Sequence, residues 1–166
     1  MINPRPAAAL AALLAAAACS RPAASPGAAP ASAAPDAASG PRALLPSGAA
    51  ISVDVAVTDQ EKAQGLMFRE SMPKNAGMVF LFEGLEIRPF WMKNCHFPLD
   101  MIYTTKDGTV VDVLRSVPPC APDPAPCESV VPKAKADTVL EVNAGVAEAE
   151  GAVPGAKLRF LSIPGR

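Results

Sequence analysis

The chain has 166 residues, half of them hydrophobic, with 15 lysines and arginines against 16 aspartates and glutamates and a formal net charge of −1. This length suits one domain of ordinary size. The charge balance provides no basic surface for nucleic acid, so we expect no nucleic-acid partner. The composition also excludes a collagen, a coiled coil and a protein with several membrane-spanning helices.

The N-terminus has the pattern of an export signal. Arg5 is followed by an apolar run at 7–18, which is typical of a secretory signal and too short to span a membrane. The small residues at 16–18 precede Cys19 and resemble the lipobox of bacterial lipoproteins, although Ala16 stands where Leu is usual. We expect residues 1–19 to be a signal peptide that ends in a lipidated Cys19. The alternative is simple cleavage after an Ala-x-Ala site.

Residues 20–49 are rich in alanine and proline and contain almost no large apolar side chain. Such a segment cannot bury enough surface to offset its chain entropy. We therefore expect a disordered, extended tether that holds one globular domain, residues 50–166, away from a membrane.

Residue patterns predict the secondary-structure elements of that domain. Apolar alternation predicts a strand at 51–57, and Thr58 with Glu61 predicts a capping box and a helix over 59–69. A hairpin turn is predicted at 106–108. The remaining predictions are strands at 78–82, 90–94, 99–104, 110–117, 138–142 and 157–163 and a helix at 144–150. These elements predict an α+β domain with a mainly antiparallel β-sheet, either a curled sheet or a partial barrel.

Cys120 and Cys127 lie in a proline-rich loop, and in an exported chain such a pair is expected to form a disulfide. A metal site built from these two residues with Cys95 and His96 is the alternative. Its spacing is poor for zinc, and the chain has only one histidine. We expect the disulfide, with no metal and no cofactor.

Cys95 and His96 are adjacent, and adjacent residues in an extended chain point to opposite faces, so we do not expect the imidazole to activate the thiol. We expect His96 to be a partly exposed edge residue rather than a base. The hydrolase and phosphate-binding motifs that sequence patterns identify are absent from the chain.

The most informative cluster surrounds the only tryptophan of the chain, Trp91. One interpretation is a polar pocket in which Trp91 is the platform and the polar groups of Arg69, Lys93, Asn94 and Asp100 converge on a small ligand. The other interpretation is structural: Trp91 covers a sheet edge, and Lys93 forms an ion pair with Asp100 across neighbouring strands. Both interpretations stay open from sequence alone.

Five ordered motifs resemble the family called domain of unknown function 192, also known as uncharacterised protein family 0127. They lie between residues 51 and 161: Gly65-Leu-Met-Phe-Arg-Glu70, Gly77-Met-Val-Phe80, Phe90-Trp-Met-Lys-Asn94, Pro98-Leu-Asp100 and Val117-Pro-Pro-Cys120 through Cys127. The resemblance implies a compact α+β domain, commonly exported or anchored in bacteria, with no established reaction. Cys95 stands where the family usually has Thr, which argues against a family nucleophile at this position.

Two functional hypotheses follow. The first is a binding or accessory module of the bacterial cell envelope, periplasmic or anchored to the membrane through a lipid on Cys19, with a small polar ligand or an envelope protein as its partner. The second is an enzyme acting on a small polar envelope substrate, with Arg69 and Lys93 holding the substrate and Asp100 as the acid–base group.

Overall fold

A computed structural model describes residues 40–120 and 126–165. The predicted signal peptide, Cys19 and most of the predicted tether lie outside the described residues. The strands are β1 Arg42–Leu44, β2 Ala50–Ala56, β3 Ala76–Glu86, β4 Leu99–Thr104, β5 Val110–Val117, β6 Ala136–Asn143 and β7 Arg159–Leu161; the helices are α1 Asp59–Gln64 and α2 Val146–Ala149. In the part of the chain so described, no helix is long and apolar enough to cross a membrane.

The strands form one sheet in the order β5-β4-β6-β3-β2-β1-β7. Only the β2–β3 pair is parallel, and the segment containing α1 makes the crossover that a parallel pair requires. The other neighbouring pairs are antiparallel. The α+β prediction with a mainly antiparallel sheet is therefore confirmed.

The sheet curls until its two ends meet. Thr109, immediately before β5, forms an antiparallel bridge with Lys157, just before β7. Beside this bridge the Leu158 N–H donates to the Gly108 carbonyl and the Val110 N–H donates to the Ala156 carbonyl, both at 2.9 Å. These bonds make the curled sheet a partial barrel.

Alternate strand residues enter two hydrophobic cores, one on each face of the sheet. In β4, Ile102 belongs to the first core, and Leu99, Met101 and Tyr103 belong to the second. The curled sheet encloses the first core. The second core is covered by the connections on either side of β3, which contribute Leu66, Met72, Met92 and Cys95.

The globular domain begins earlier than predicted. The sequence places its start at residue 50, whereas β1 pairs with both β2 and β7 and its Ala43 is fully buried. Residues 42–49 are thus part of the domain rather than of the tether. The short apolar group at 43–45 is too small to produce a periodic signal, and partners on both sides hold it in place.

The predicted helix over 59–69 ends at Gln64. The capping box of Thr58 and Glu61 is present as predicted, but Gly65 adopts a φ of 47° and terminates the helix. A side chain at this position would meet the Phe80 ring at 3.3 Å. Both the backbone conformation and the close approach therefore favour glycine here.

The predicted strand at 90–94 does not form. Only Phe90 pairs, through an isolated bridge to Val130, and the chain then turns, with the Cys95 N–H donating to the Met92 carbonyl at 3.2 Å. Asn94 has a φ of 54°, which a continuous strand cannot include. The backbone turn thus replaces a strand whose residue types alone favoured extension.

Candidate functional site

The segment between β3 and β4, residues 87–98, crosses the second core and presents Trp91 to solvent. The bridge at Phe90 anchors the segment, with the Phe90 N–H donating to the Val130 carbonyl at 3.0 Å. Met92 is buried beneath it, and the Trp91 side chain is 44% exposed. The Lys93 ammonium lies 5.2 Å from the Trp91 ring centroid, within cation–π range.

Asn94 joins this segment to the loop that follows α1. The Phe68 N–H donates to the Asn94 carbonyl at 2.8 Å, and the Asn94 Nδ2 lies 4.0 Å from the Met67 sulfur. The positive φ of Asn94 turns its carbonyl towards Phe68. Asn94 therefore links the two loops through its backbone carbonyl.

A narrow cleft with a volume of about 20 Å³ lies between these two loops and the sheet. We call it the Trp91 cleft. Exposed residues at its mouth connect it to solvent. Its lining includes Leu66, Met67, Phe80, Phe90, Trp91, Lys62, Lys93, Cys95 and Glu141.

Among the described residues that line the Trp91 cleft, Glu141 is the only one with a carboxylate. The residue is 4% exposed, and among the described residues its side chain has no hydrogen-bond donor, although its oxygens are not fully enclosed by protein atoms. Its neighbours across the sheet are Met78 on β3 and Met101 on β4. Because burial removes the carboxylate from water, it raises the pKa of Glu141 to about 8.

Sequence reasoning missed Glu141. It is the one charged residue in the apolar run 139–142, which is an available signal. However, alternation along the predicted strand places it on the opposite face from Leu140 and Val142, and that face reads as solvent-exposed. Only the loops that cover the second core bury it.

Two other titratable groups experience the Glu141 charge. Burial, with a smaller contribution from Glu141, raises the pKa of the Cys95 thiol to about 11. The same two causes, in the same order, raise the pKa of Tyr103 above its usual range. At neutral pH the Cys95 thiol is protonated, which disfavours it as a nucleophile. His96 instead has its Nδ1 2.9 Å from a Glu70 carboxylate oxygen at the surface.

Asp100 lies on the other face of the sheet, away from the Trp91 cleft. It is fully buried, and its carboxylate accepts hydrogen bonds from the Ser116 N–H at 2.7 Å and the Ala147 N–H at 2.9 Å. Ala147 belongs to the first core. The predicted convergence of Asp100 with Lys93 is thus not present, and the contacts of Asp100 are structural.

The Arg69 side chain also lies outside the lining of the Trp91 cleft. It forms an ion pair with Asp54 of β2 at 2.8 Å, with side-chain exposures of 38% and 59% for Arg69 and Asp54. Of the predicted ligand-binding residues, the structure brings Trp91 and Lys93 to the cleft, with Asn94 beside them, and leaves Arg69 and Asp100 apart.

Cys120 and Cys127 lie at disulfide distance, with Cα atoms 5.3 Å apart. Cys95 is buried away from them and is a free cysteine. Within residues 40–120 and 126–165, no three His, Cys, Asp or Glu side chains form a group that could hold a metal ion.

A wider groove of about 940 Å³ lies between the start of α1 and the end of β3. Carboxylates and cations both line it, and its Arg88 is engaged by Glu86 at 3.0 Å and by the Glu83 carbonyl at 2.8 Å. None of the predicted site residues lines this groove. The smaller Trp91 cleft is the better candidate because it contains a desolvated, unpartnered carboxylate.

Comparison with known proteins identifies the family. The sequence profile of DUF192, described as an uncharacterized ACR, matches residues 43–160. The chain belongs to the DUF192 family. The predicted resemblance is confirmed, and the match begins within β1, in agreement with the earlier start of the domain.

Two solved structures resemble this DUF192 domain. A candidate transcription regulator from Sinorhizobium meliloti is 30% identical, with a TM-score of 0.63 over 74% of this chain and 93% of that one. A protein of unknown function from Novosphingobium aromaticivorans is also 30% identical, with a TM-score of 0.62 over 72% of this chain and 82% of that one. No curated protein matches the chain.

Proposed function

We propose that this protein is an exported, lipid-anchored component of a bacterial cell envelope and that its domain binds a small polar ligand in the Trp91 cleft. The observation that carries the binding proposal is the buried, unpartnered Glu141 carboxylate in a cleft that opens beside exposed Trp91 and Lys93. Burying an ionisable group without a partner costs free energy, so such an arrangement favours a site completed by a ligand.

The Trp91 cleft is better suited to binding a ligand than to catalysing a reaction. Acid–base catalysis uses proton-transferring groups positioned around the substrate. The Cys95 thiol is held protonated, and Asp100 is engaged by two backbone N–H groups on the opposite face. These contacts leave Glu141 as the carboxyl group that can meet a ligand in the cleft.

The proposed location in the cell envelope rests on the N-terminal sequence. Arg5 and the apolar run at 7–18 suit a secretory signal, and Cys19 follows small residues as in a lipoprotein. The Ala/Pro-rich residues that follow would let an anchored domain reach ligands, or an envelope protein partner, beyond the membrane surface.

Metabolic labelling tests the anchor. In a bacterial host grown with radiolabelled palmitate, we expect the full chain to incorporate label, the Cys19→Ser variant to lose it and the matched Cys95→Ser variant to keep it. A chain without label, or a labelled Cys19→Ser variant, would overturn the lipid anchor.

Native mass spectrometry of the full chain, extracted from the envelope in mild detergent, tests binding. We expect a mass excess that disappears on denaturation and in the Trp91→Ala variant. The Phe68→Ala variant is the control, because Phe68 is an exposed aromatic outside the cleft lining. A mass excess that Trp91→Ala retains would place the ligand elsewhere. A chain without any excess would overturn the small-ligand proposal and favour an envelope protein as the partner, to be sought by cross-linking from Lys93.

A further inference from the structure

We infer that the Trp91 cleft receives a primary ammonium group at the end of a slim chain, with the Glu141 carboxylate as its counter-ion. This inference rests on the proposed binding function and names the chemical class of the ligand. It depends on three properties of the cleft, which are the charge at its base, its volume and the chemistry of its walls.

The charge at the base calls for a cationic partner. Glu141 has no hydrogen-bond donor among the described residues, and methionines flank it on both neighbouring strands. The cations that line the cleft are held at aromatic rings instead: the Lys93 ammonium lies over Trp91, and the Lys62 ammonium lies 4.9 Å from the Phe82 centroid. An incoming ammonium would supply the donors that the buried carboxylate lacks.

The volume restricts which cation fits. A space of about 20 Å³ holds one group of roughly the size of a water molecule. A primary ammonium has that size, whereas a quaternary ammonium or a planar guanidinium is larger. The cleft therefore favours a single –NH₃⁺ head that enters on an unbranched chain.

The walls suit both parts of such a ligand. Phe80 and Phe90 line the cleft beside Trp91, whose ring already holds the Lys93 ammonium, and aromatic rings attract cations through their quadrupole. Leu66 and Met67 add apolar surface for the carbon chain behind the ammonium. An alkyl ammonium thus has complementary contacts along its length.

Binding is coupled to one proton. Burial raises the pKa of Glu141 to about 8, so below that pH the carboxyl group holds a proton in the unliganded chain. When R–NH₃⁺ enters, that proton leaves to solvent and the ammonium–carboxylate pair remains. Two other titratable groups experience the Glu141 charge, the Cys95 thiol and the Tyr103 hydroxyl, and burial raises the pKa of both above the range pH 6–9. The charged residues that line the cleft with Glu141 are Lys62 and Lys93.

Titration of the full chain with n-butylamine tests the inference, with fluorescence of its only tryptophan, Trp91, as the readout. We expect saturable binding at pH 8.5 with a Kd on the order of 1 mM, as suits a ligand of five heavy atoms. The affinity should fall about tenfold for each pH unit below the Glu141 pKa. Neutral n-butanol and the bulkier tetramethylammonium ion should not bind.

The matched variants are Glu141→Gln, which removes only the charge, and Glu128→Gln, which removes an exposed carboxylate outside the cleft. The first should weaken n-butylamine binding at least tenfold, and the second should leave it unchanged. Equal binding of n-butanol, or full binding by Glu141→Gln, overturns the inference.

The proposal that the cleft binds a ligand and the proposal that this ligand is an ammonium can be overturned independently. If a Trp91-dependent mass excess is present and n-butylamine does not bind after dialysis has removed it, the ammonium assignment is overturned and ligand binding stands. If neither signal appears, both proposals are overturned.

Discussion

The Asp100 carboxylate accepts a hydrogen bond from the backbone N–H of Ala147 at 2.9 Å, across 47 positions of the chain. Its other oxygen accepts the Ser116 N–H, at a bulge where β5 has one residue more than the facing part of β4. One side chain thus joins β4, the bulge of β5 and the start of α2. This relationship explains why a carboxylate that is fully buried has no access to the Trp91 cleft.

We predict that Asp100→Asn destabilises the fold. The amide offers one acceptor where the carboxylate offers two, so a buried N–H loses its partner at a cost of about 2 kcal/mol. Urea denaturation followed by circular dichroism measures the loss. Asp54→Asn is the control, since the exposed ion pair of Asp54 with Arg69 contributes less than about 1 kcal/mol. An Asp100→Asn chain of normal stability that no longer binds ligand would restore Asp100 as a functional residue.

The pH dependence of stability should reveal the buried charge of Glu141. Burial raises its folded-state pKa from 4.5 to about 8. Between these values the unfolded chain loses the proton while the folded chain keeps it. The protonated Glu141 therefore leaves the free energy of unfolding at its full value below pH 4.5, and this free energy decreases as the pH rises from 4.5 to about 8. Because each pH unit corresponds to about 1.4 kcal/mol, the total loss amounts to several kcal/mol.

Glu141→Gln provides the comparison, because its amide does not titrate. Urea denaturation from pH 4.5 to 9 should show the unfolding free energy of the variant rising relative to that of the unaltered chain as pH increases. Glu128→Gln should show no such divergence. Parallel pH profiles for Glu141→Gln and the unaltered chain would mean that the carboxylate is solvated in the folded state.

The Cys95 thiol should be unreactive in the folded protein. With its pKa raised to about 11 by burial and the Glu141 charge, its thiolate is scarce at pH 8. We predict alkylation by iodoacetamide at least about 100-fold slower than that of a free cysteine. The measurement uses the Cys19→Ser chain without reductant, so that Cys95 supplies the thiol, and the urea-unfolded chain is the control. Rapid labelling of the folded chain would show that the loops above Cys95 open readily.

Closure of the partial barrel depends on Gly108. A Cβ atom at this residue would lie 2.1 Å from the Leu158 carbonyl oxygen, and its φ of +85° is already unfavourable for other residues. We predict that Gly108→Ala lowers the unfolding free energy by more than about 3 kcal/mol, because the backbone of the 155–158 segment has to shift.

Gly155→Ala is the matched control for Gly108→Ala. Gly155 has a similar φ of +92°, but a Cβ atom at this residue would meet no obstruction, since nothing lies within 4 Å of it. Its cost should be that of backbone strain, about 1 kcal/mol. Thermal unfolding of both variants separates the two effects. Equal losses would mean that the contact between Gly108 and Leu158 is not required for closure.

Local residue patterns were sufficient to predict those elements whose formation depends only on residues close together in the chain. The bounds of the strands at 99–104 and 110–117 were predicted correctly, because apolar runs flank a hairpin turn at 106–108. The capping box of Thr58 and Glu61 was likewise predicted, because it involves residues three positions apart. These features need no distant partner.

The candidate site was predicted only in part. Trp91 and Lys93 are neighbours along the chain, so their shared location follows from sequence. Arg69 and Asp100 are charged residues whose partners, Asp54 and Ala147, are brought to them by the sheet. Which partner each finds depends on strand order and on the face of the sheet, and neither can be read from local spacing.

The sequence by itself determined the family, the α+β class and the shared location of Trp91 and Lys93, since these depend on motifs and on residues that are neighbours along the chain. Only the tertiary structure decided that β1 belongs to the sheet and that Glu141, rather than Asp100, faces the Trp91 cleft. The physical reason is desolvation. A carboxylate on a strand is exposed or buried according to what covers its face, and here loops distant in sequence cover Glu141.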